Sequence, residues 1–256
     1  MKVLFTICGR AGSKGIKNKN IRDFLGKPLP LYTLSAVDLF LKECGDVDAD
    51  IALNTDSPEL VEIFRNNGMR EVCFIERKEE LAGDRVSKLD VIRDTLLEME
   101  KASGAAYDMV IDLDITSPLR QDGDLKNVYQ EQLTGAWDAV FTVTDCRRNP
   151  YFNMVTGNAE DGYTKVISSD FTARQQAPEI FDMNASIYAY DPQFLRTAAN
   201  IFAGRCGIVK MYDTGVLDLD HENDFELMEV IAEYLFRSRP AFEKIRANIK
   251  AKRDRS

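Results

Sequence analysis

The chain opens with a short apolar strand that runs directly into a loop rich in glycine and cations, and this junction limits the possible folds more than any other feature. Lys2–Cys8 is apolar and is broken by Gly9, the pattern of a buried strand. The loop that follows reads Gly9-Arg-Ala-Gly-Ser-Lys-Gly-Ile-Lys-Asn-Lys-Asn-Ile-Arg22. Gly9, Gly12 and Gly15 let the backbone turn sharply and present amide N–H groups to an anion. At the carboxyl end of a sheet strand, such a loop is where α/β proteins bind phosphate. Its spacing is neither G-x-x-x-x-G-K-[ST] nor G-x-G-x-x-G. A solvated basic loop is the plainer alternative, but glycines and cations coinciding after a strand favour a phosphate cradle.

The alternation continues. Helical spacing from Pro28 to Phe40 is followed by a strand at Asp50–Asn54, then by a helix that Ser57 caps and Pro58 opens. A strand is expected at Glu71–Ile75, a helix at Lys88–Met99, and buried strands at Met109–Ile115 and Ala139–Val143, separated by a helix over 123–133. Strands alternating with helices imply a Rossmann-like α/β fold with a mainly parallel sheet. After Thr144 the rhythm changes. The segments 147–155 and 163–167 flank Thr-Gly-Asn-Ala-Glu-Asp-Gly, which predicts an antiparallel hairpin, a flap or a dimer contact. Ser186–Tyr190 returns to a strand, and Phe225–Leu235 is an amphipathic helix. Residues 1–256 read as one domain, with an inserted excursion over about 145–186.

Charge narrows the partners. The net charge is −9, yet residues 1–22 hold six cations and no acid, leaving −15 for the other 234 residues. Such a surface argues against a nucleic-acid partner and against anionic membranes. No apolar run approaches the roughly 20 residues that span a bilayer, and the start is too short for a signal segment, so a cytoplasmic location is expected. The five cysteines show no metal-ligand spacing, and the lone His221, following Asp218-Leu-Asp220, reads as a solvated residue at a helix start.

Two acidic pairs remain. Asp218 and Asp220 in an extended segment lie on one side, roughly 6.5–7 Å apart along the chain, and could hold Mg2+ together with triphosphate oxygens. A solvated acidic turn is the alternative. Asp112 and Asp114 end an apolar strand just before Thr116-Ser-Pro-Leu-Arg120, where buried charges need a partner that a substrate or metal could supply.

Together, several motifs resemble those of the CMP-sialic acid synthetases (acylneuraminate cytidylyltransferases). They are the Gly9–Arg22 loop, Gly26-Lys-Pro, Thr55-Asp56, Glu80-Leu-Ala-Gly-Asp84, Thr116-Ser-Pro-Leu-Arg120, Arg174-Gln-Gln176 and Asp218-Leu-Asp220, in the family's order over nearly the whole chain. Arg148-Asn-Pro-Tyr-Phe-Asn153 and Asp182-Met-Asn-Ala-Ser-Ile-Tyr188 resemble the bacterial branch that makes CMP-legionaminic acid. The resemblance implies a three-layer, GT-A-like nucleotidyltransferase and a homodimer that exchanges the excursion after Thr144. It implies that Arg10 and Lys14 grip the CTP phosphates, helped by the Gly12 and Ser13 amides, with Lys19 also on phosphate. Asn20, Arg77 and the segment Asp84 to Lys88 would line the nucleoside pocket. Asp220 with Asp218 would hold Mg2+. The acidic nine-carbon sugar would meet Arg174 and Gln175, in part from across the dimer, with Asp114, Thr116, Arg148 and Asn184 completing its site.

This sequence also departs from the family. N-acetylneuraminate-specific members have Gln at Asp114 and Asn-Gly-Ala at Asn184-Ala-Ser186, and a basic residue of theirs falls on Phe152, where Arg147 or Arg148 could substitute. Asp114 either accepts a hydrogen bond from a nitrogen substituent of the sugar or caps a neighbouring backbone group. The reaction implied is attack of the sugar's anomeric hydroxyl on the CTP α-phosphorus with loss of pyrophosphate. CMP-N-acetylneuraminic, CMP-pseudaminic and CMP-Kdo synthetases, a glycosyltransferase and a non-catalytic CTP sensor are the competing readings, and no general base stands out.

Overall fold

The computed structural model describes residues 1–12, 15–83, 86–215, 219 and 221–250, apart from the side chain of Arg174. After β1 (Lys2–Cys8), a ribbon of β2 (Asp23–Phe24) and β3 (Lys27–Pro28) leads into α1 (Leu29–Glu43). The alternation runs through β4 (Asp48–Thr55), α2 (Pro58–Arg65), β5 (Cys73–Glu76), α3 (Lys88–Ser103) and β6 (Met109–Leu113). Next come α4 (Asp124–Thr134) and β7 (Ala139–Asp145), then a separate hairpin of β8 (Val155–Asn158) and β9 (Gly162–Lys165). β10 (Phe181–Tyr190), α5 (Pro192–Thr197), β11 (Cys206–Lys210), α6 (Glu222–Ser238) and α7 (Pro240–Asn248) follow.

Seven strands form one sheet in the order β11-β7-β10-β6-β1-β4-β5. β5, β4, β1 and β6 run parallel, β11 is parallel to β7, and β10 is antiparallel to both β6 and β7. The sheet is thus mainly parallel, as the alternation requires. Period-two alternation divides its side chains between two cores. Val3, Phe5, Ile7, Ile111 and Leu113 join the cluster containing residues of α1, α2, α4, α6 and α7, while Leu4, Ala52 and Val110 meet α3 and α5 on the other face. By the same alternation, Asp112 points to the α3 face, two residues on from Val110.

The helix starts follow their local chemistry. Ser57 Oγ accepts from the Leu60 N–H (3.2 Å), and Pro58 stands in the first turn of α2, where its missing N–H costs nothing. His221 is exposed at the N-cap of α6, where its N–H donates to Asp224 Oδ2 (2.8 Å).

Several elements differ from the sequence expectation. The strand expected from Arg147 begins only at Val155, because Asn149 gathers residues 149–154 into a turn. The N–H groups of Phe152, Asn153 and Met154 all donate to its carbonyl, and its Oδ1 takes the Tyr151 N–H (2.9 Å). β10 starts at Phe181 rather than Ser186, with its register broken between Met183 and Tyr188. β11 and α7 have no counterpart in the sequence reading; β11 is short and contains Gly207, which weakens its strand signal.

Phe225 of α6 is fully buried, edge-on to Phe24 (centroids 5.8 Å apart), and ties α6 to the ribbon before α1. Phe225→Ala is expected to cost about 3–5 kcal/mol, read as a lower urea midpoint with an unchanged slope. Asp124, 5% exposed, has its carboxyl raised to about 6 by burial, against the pull of the Gln121 N–H and Arg120. Its folded value lies above the unfolded one, so stability is lost as pH rises from about 4 to about 6 and is not regained above. Asp124→Asn is therefore expected to raise Tm at about pH 7.5 while changing it little at about pH 4.

Candidate active site

The glycine-rich loop leaves the carboxyl end of β1 and is fixed from below. Gly9 N–H donates to the Asn54 carbonyl (3.1 Å) and Ala11 N–H to Asp56 Oδ1 (2.7 Å), both from the neighbouring end of β4. A Cβ on Gly9 would stand 2.6 Å from Leu60 Cδ2 and 2.7 Å from Ile115 Cδ1, so the backbone passes where a side chain is excluded. Gly12 adopts φ +70°, with open space around it. Fully buried Ile16 anchors the far side. Asn20 Nδ2 donates to the Arg10 carbonyl (3.0 Å), and Arg10 Nη1 reaches toward the Ala82 carbonyl (3.5 Å). Asn20 thus shapes the loop itself. Ser13, Lys14 and Asp84 lie outside the described residues.

The loop also meets the acidic segment 200 positions away. Lys19 Nζ donates to the Leu219 carbonyl at 2.5 Å, and Leu219 is itself buried. Arg22 pairs with Glu222 and lies 3.9 Å from the Phe225 ring centroid. Asp218 and Asp220, which flank Leu219, lie outside the described residues. Among the described residues no cluster of three or more His, Cys, Asp or Glu could hold a metal. Arg77 is buried and turned toward β4, with Nε on Asn54 Oδ1 (2.9 Å) and Nη2 on the Asn54 carbonyl (3.0 Å).

The second acidic pair has its partner in the protein. Lys88 Nζ lies 2.7 Å from Asp112 Oδ2 and 2.7 Å from Asp114 Oδ2. It hydrogen-bonds Asp114; the Asp112 Oδ2 contact is an ion pair off the hydrogen-bond direction. Asp112 is fully buried and its other oxygen accepts from Thr6 Oγ1 (2.8 Å). Asp114 Oδ1 accepts from the Thr116 N–H (2.9 Å) and Oγ1 (2.8 Å), the backbone cap that the sequence left open. Burial works to raise Asp114, but Lys88 and Thr116 outweigh it and hold its carboxyl at about 2. Burial likewise works against the charged form of Lys88, and the two carboxylates reverse this and push it well above its ordinary value. The expectation that a metal or substrate must neutralise this pair gives way to Lys88, which reaches the end of β6 from the start of α3.

Arg120 links the same point to β10. Only 1% exposed, it donates from Nη2 to the Asp114 carbonyl (2.6 Å) and the Ser186 carbonyl (2.9 Å), from Nε to Ser186 Oγ (2.9 Å), and from Nη1 to Thr33 Oγ1 (3.3 Å). Desolvation lowers it to about 10, still charged at neutral pH. It holds Asp114 beside the irregular stretch of β10, where Ala185 takes φ +48°. Sequence reasoning placed Arg120 in a motif without a role, and missed Ser186.

The residues assigned to the sugar divide into two groups. Thr116 and Asn184 line one cleft together with Thr144, Tyr212, Asp213 and Leu219. The Asn184 side chain is committed there, accepting from Thr142 Oγ1 (2.6 Å). Gln175 lines a different cavity of about 430 Å³ with Asp145, Asn149 and Glu179. Arg148 is exposed. Of the two cations offered in place of the residue at Phe152, Arg147 is already engaged by Asp213 Oδ2 (2.9 Å).

A glycine- and cation-rich loop after the first strand of a mainly parallel seven-stranded sheet is the arrangement of an α/β nucleotidyltransferase fold. Residues 4–252 match the family described as cytidylyltransferase, and the chain belongs to that family. It is 36% identical over 231 residues to the post-translational flagellin modification protein B of Campylobacter coli, covering 90% of this chain and 94% of that protein. It is 35% identical over 233 residues to the CMP-N,N'-diacetyllegionaminic acid synthase of Campylobacter jejuni, with the same coverage. A solved CMP:2-keto-3-deoxy-manno-octonic acid synthetase complexed with CTP shares the fold, with a TM-score of 0.63 at 15% identity over 91% of this chain and 99% of that one. The 4-diphosphocytidyl-2C-methyl-D-erythritol synthase of Anaerococcus prevotii does so with a TM-score of 0.57 at 13% identity, over 90% and 98%. Lys19→Met removes a cation that is only partly buried. It is expected to raise the KM for CTP about ten-fold while moving Tm by no more than about 2 °C, as measured by initial rates and thermal melting.

Proposed function

We propose that the chain couples CTP to a nonulosonic acid, N,N'-diacetyllegionaminic acid foremost, giving the CMP-sugar and pyrophosphate. The observation that carries this reading is the Lys19–Leu219 contact, which closes a cationic phosphate loop onto the segment of two carboxylates. The relatives named for CMP-N,N'-diacetyllegionaminic acid and for N-acylneuraminate, the latter 27% identical over 92% of this chain, support the substrate class.

In this reading the loop amides with Gly12, and Arg10, Lys14 and Lys19, receive the triphosphate. Charge grows on the departing pyrophosphate, and these cations stabilise it electrostatically. Asp218 and Asp220 are hard oxygen donors suited to Mg2+, which when bound would neutralise phosphate charge. The sugar's anomeric hydroxyl attacks the α-phosphorus from the side of Asp114 and Thr116. Held ionised at about 2 beside Lys88, Asp114 is too weak a base to take the hydroxyl proton and serves as an acceptor.

The excursion over 145–186 supplies Arg174, Gln175 and Arg148 to the sugar of a second subunit in a homodimer. Val155 and Tyr163 in its hairpin are each 67% exposed, apolar area that a partner subunit would cover. No described helix is long and apolar enough to cross a membrane, and a cytoplasmic location suits the substrates.

Release of pyrophosphate from CTP and a panel of nonulosonic acids tests the reaction. Turnover that needs both substrates separates it from a glycosyltransferase and from a CTP sensor. Asp220→Asn is expected to lower kcat by about two orders of magnitude or more with the fold intact by circular dichroism; near-normal activity with Mg2+ would refute the metal role. Asp114→Gln is expected to shift relative kcat/KM between legionaminic and N-acetylneuraminic acids, and an unchanged ratio would remove Asp114 from the sugar site.

A further inference from the structure

Lys88 is the first residue of α3, behind Ser87, whose Oγ accepts from the Leu89 N–H (3.2 Å). A cation at a helix N-terminus opposes the helix dipole, so local helix chemistry does not explain it. What explains it is the pair of carboxylates in front of it. Lys88 Nζ also lies 5.3 Å from the centroid of Tyr188, so its head is held on three sides. Lys88 and Asp114 both keep part of their side chains accessible, 35% and 22%, whereas Asp112 behind them has none.

A carboxylate has about four lone-pair sites. Asp114 spends two of them, on Oδ1, to hold Thr116, and one on Oδ2 to hold Lys88. One acceptor direction on Oδ2 is left, and nothing on an ionised carboxylate can donate. A glutamine or a protonated carboxyl in the same place could do both. The ionic state of Asp114 therefore decides which hydrogen-bonding groups it accepts beside it.

We propose that Lys88 is a specificity-positioning residue for the acidic sugar rather than a nucleotide ligand: it holds Asp114 as an acceptor-only anion, so that the site selects a sugar substituent bearing an N–H or O–H donor. This rests on the reading that Asp114 faces the sugar. The other groups around Lys88 do not compete for the role. β1 contributes the Thr6 hydroxyl and the Cys8 thiol, and β10 the phenols of Tyr188 and Tyr190; burial holds Cys8 and Tyr190 protonated. Arg120 is turned to the Asp114 carbonyl, and Arg77 to Asn54. Without Lys88, two carboxylates would share a buried site with no cation on their oxygens, and Asp114 would take up a proton more readily.

The test measures KM for CTP and for N,N'-diacetyllegionaminic acid with Lys88→Met, Lys88→Arg, Asp114→Asn and the Lys88→Met/Asp114→Asn double variant. Lys88→Met is expected to raise the sugar KM about ten-fold or more and to leave the CTP KM within about two-fold. Its kcat/KM relative to wild type should recover between about pH 6 and pH 9, as the trapped proton is lost, and Lys88→Arg should restore most of the loss. In the Asp114→Asn background Lys88→Met should add little and the pH dependence should vanish. Equal losses for CTP and sugar, additive losses in the double variant, or a flat relative pH profile for Lys88→Met would each overturn the proposal. If Asp114→Asn leaves the sugar KM unchanged, it is the placement of Asp114 that fails. Should Lys88→Met not fold, Lys88→Gln takes its place: matching effects on the CTP and sugar KM decide against the proposal, and a sugar-only effect that Lys88→Arg does not share decides for it.

Discussion

Two carboxylates on one face of a central parallel strand cannot be buried without cations, and much of the site's geometry follows from how this chain supplies them. Asp112 and Asp114 end β6, Lys88 reaches them from the start of α3, and Arg120 crosses behind to the Asp114 carbonyl. Two negative and two positive charges make a locally neutral cluster. Removing one member would leave its neighbours desolvated and unpaired, a larger loss than the net worth of any one contact. The cluster fixes where β6 ends, how the Thr116–Arg120 turn leaves it, and how far β10 stands from it.

A second link joins the ends of the chain. The glycine- and cation-rich loop hangs from β1 on one side, and Lys19 and Arg22 fasten it to Leu219 and Glu222 on the other. Phe24 and Phe225 meet edge-on beneath this fastening. The apolar contact supplies rigidity and the polar contacts supply direction.

The fold was legible in the sequence because parallel strands buried on both faces read as unbroken apolar runs, and because Ser57-Pro58 marks a helix start by its own hydrogen bonding. The first arm of the hairpin was misread because Asn149 spends its backbone and side chain on a local turn, which apolar content does not reveal. The loop and both acidic pairs were visible as composition. Their partners were not. Lys88 and Asp114 are 26 residues apart and Lys19 and Leu219 are 200 apart, and no periodicity relates such positions. The one local sign was a lysine in the first turn of a helix, where the dipole disfavours it.

The fastening of Lys19 to Leu219 also bears on how the protein is made. Strands β1, β4, β5 and β6 can pair while the chain is still growing, since their contacts close comparatively short loops. The glycine-rich loop emerges among the first residues and meets Asn54, Asp56 and Ala82 early, but its bonds to Leu219 and Glu222 form only once the start of α6 has left the ribosome. The nascent chain therefore passes through most of its synthesis with part of its sheet paired and the far side of the loop unfastened.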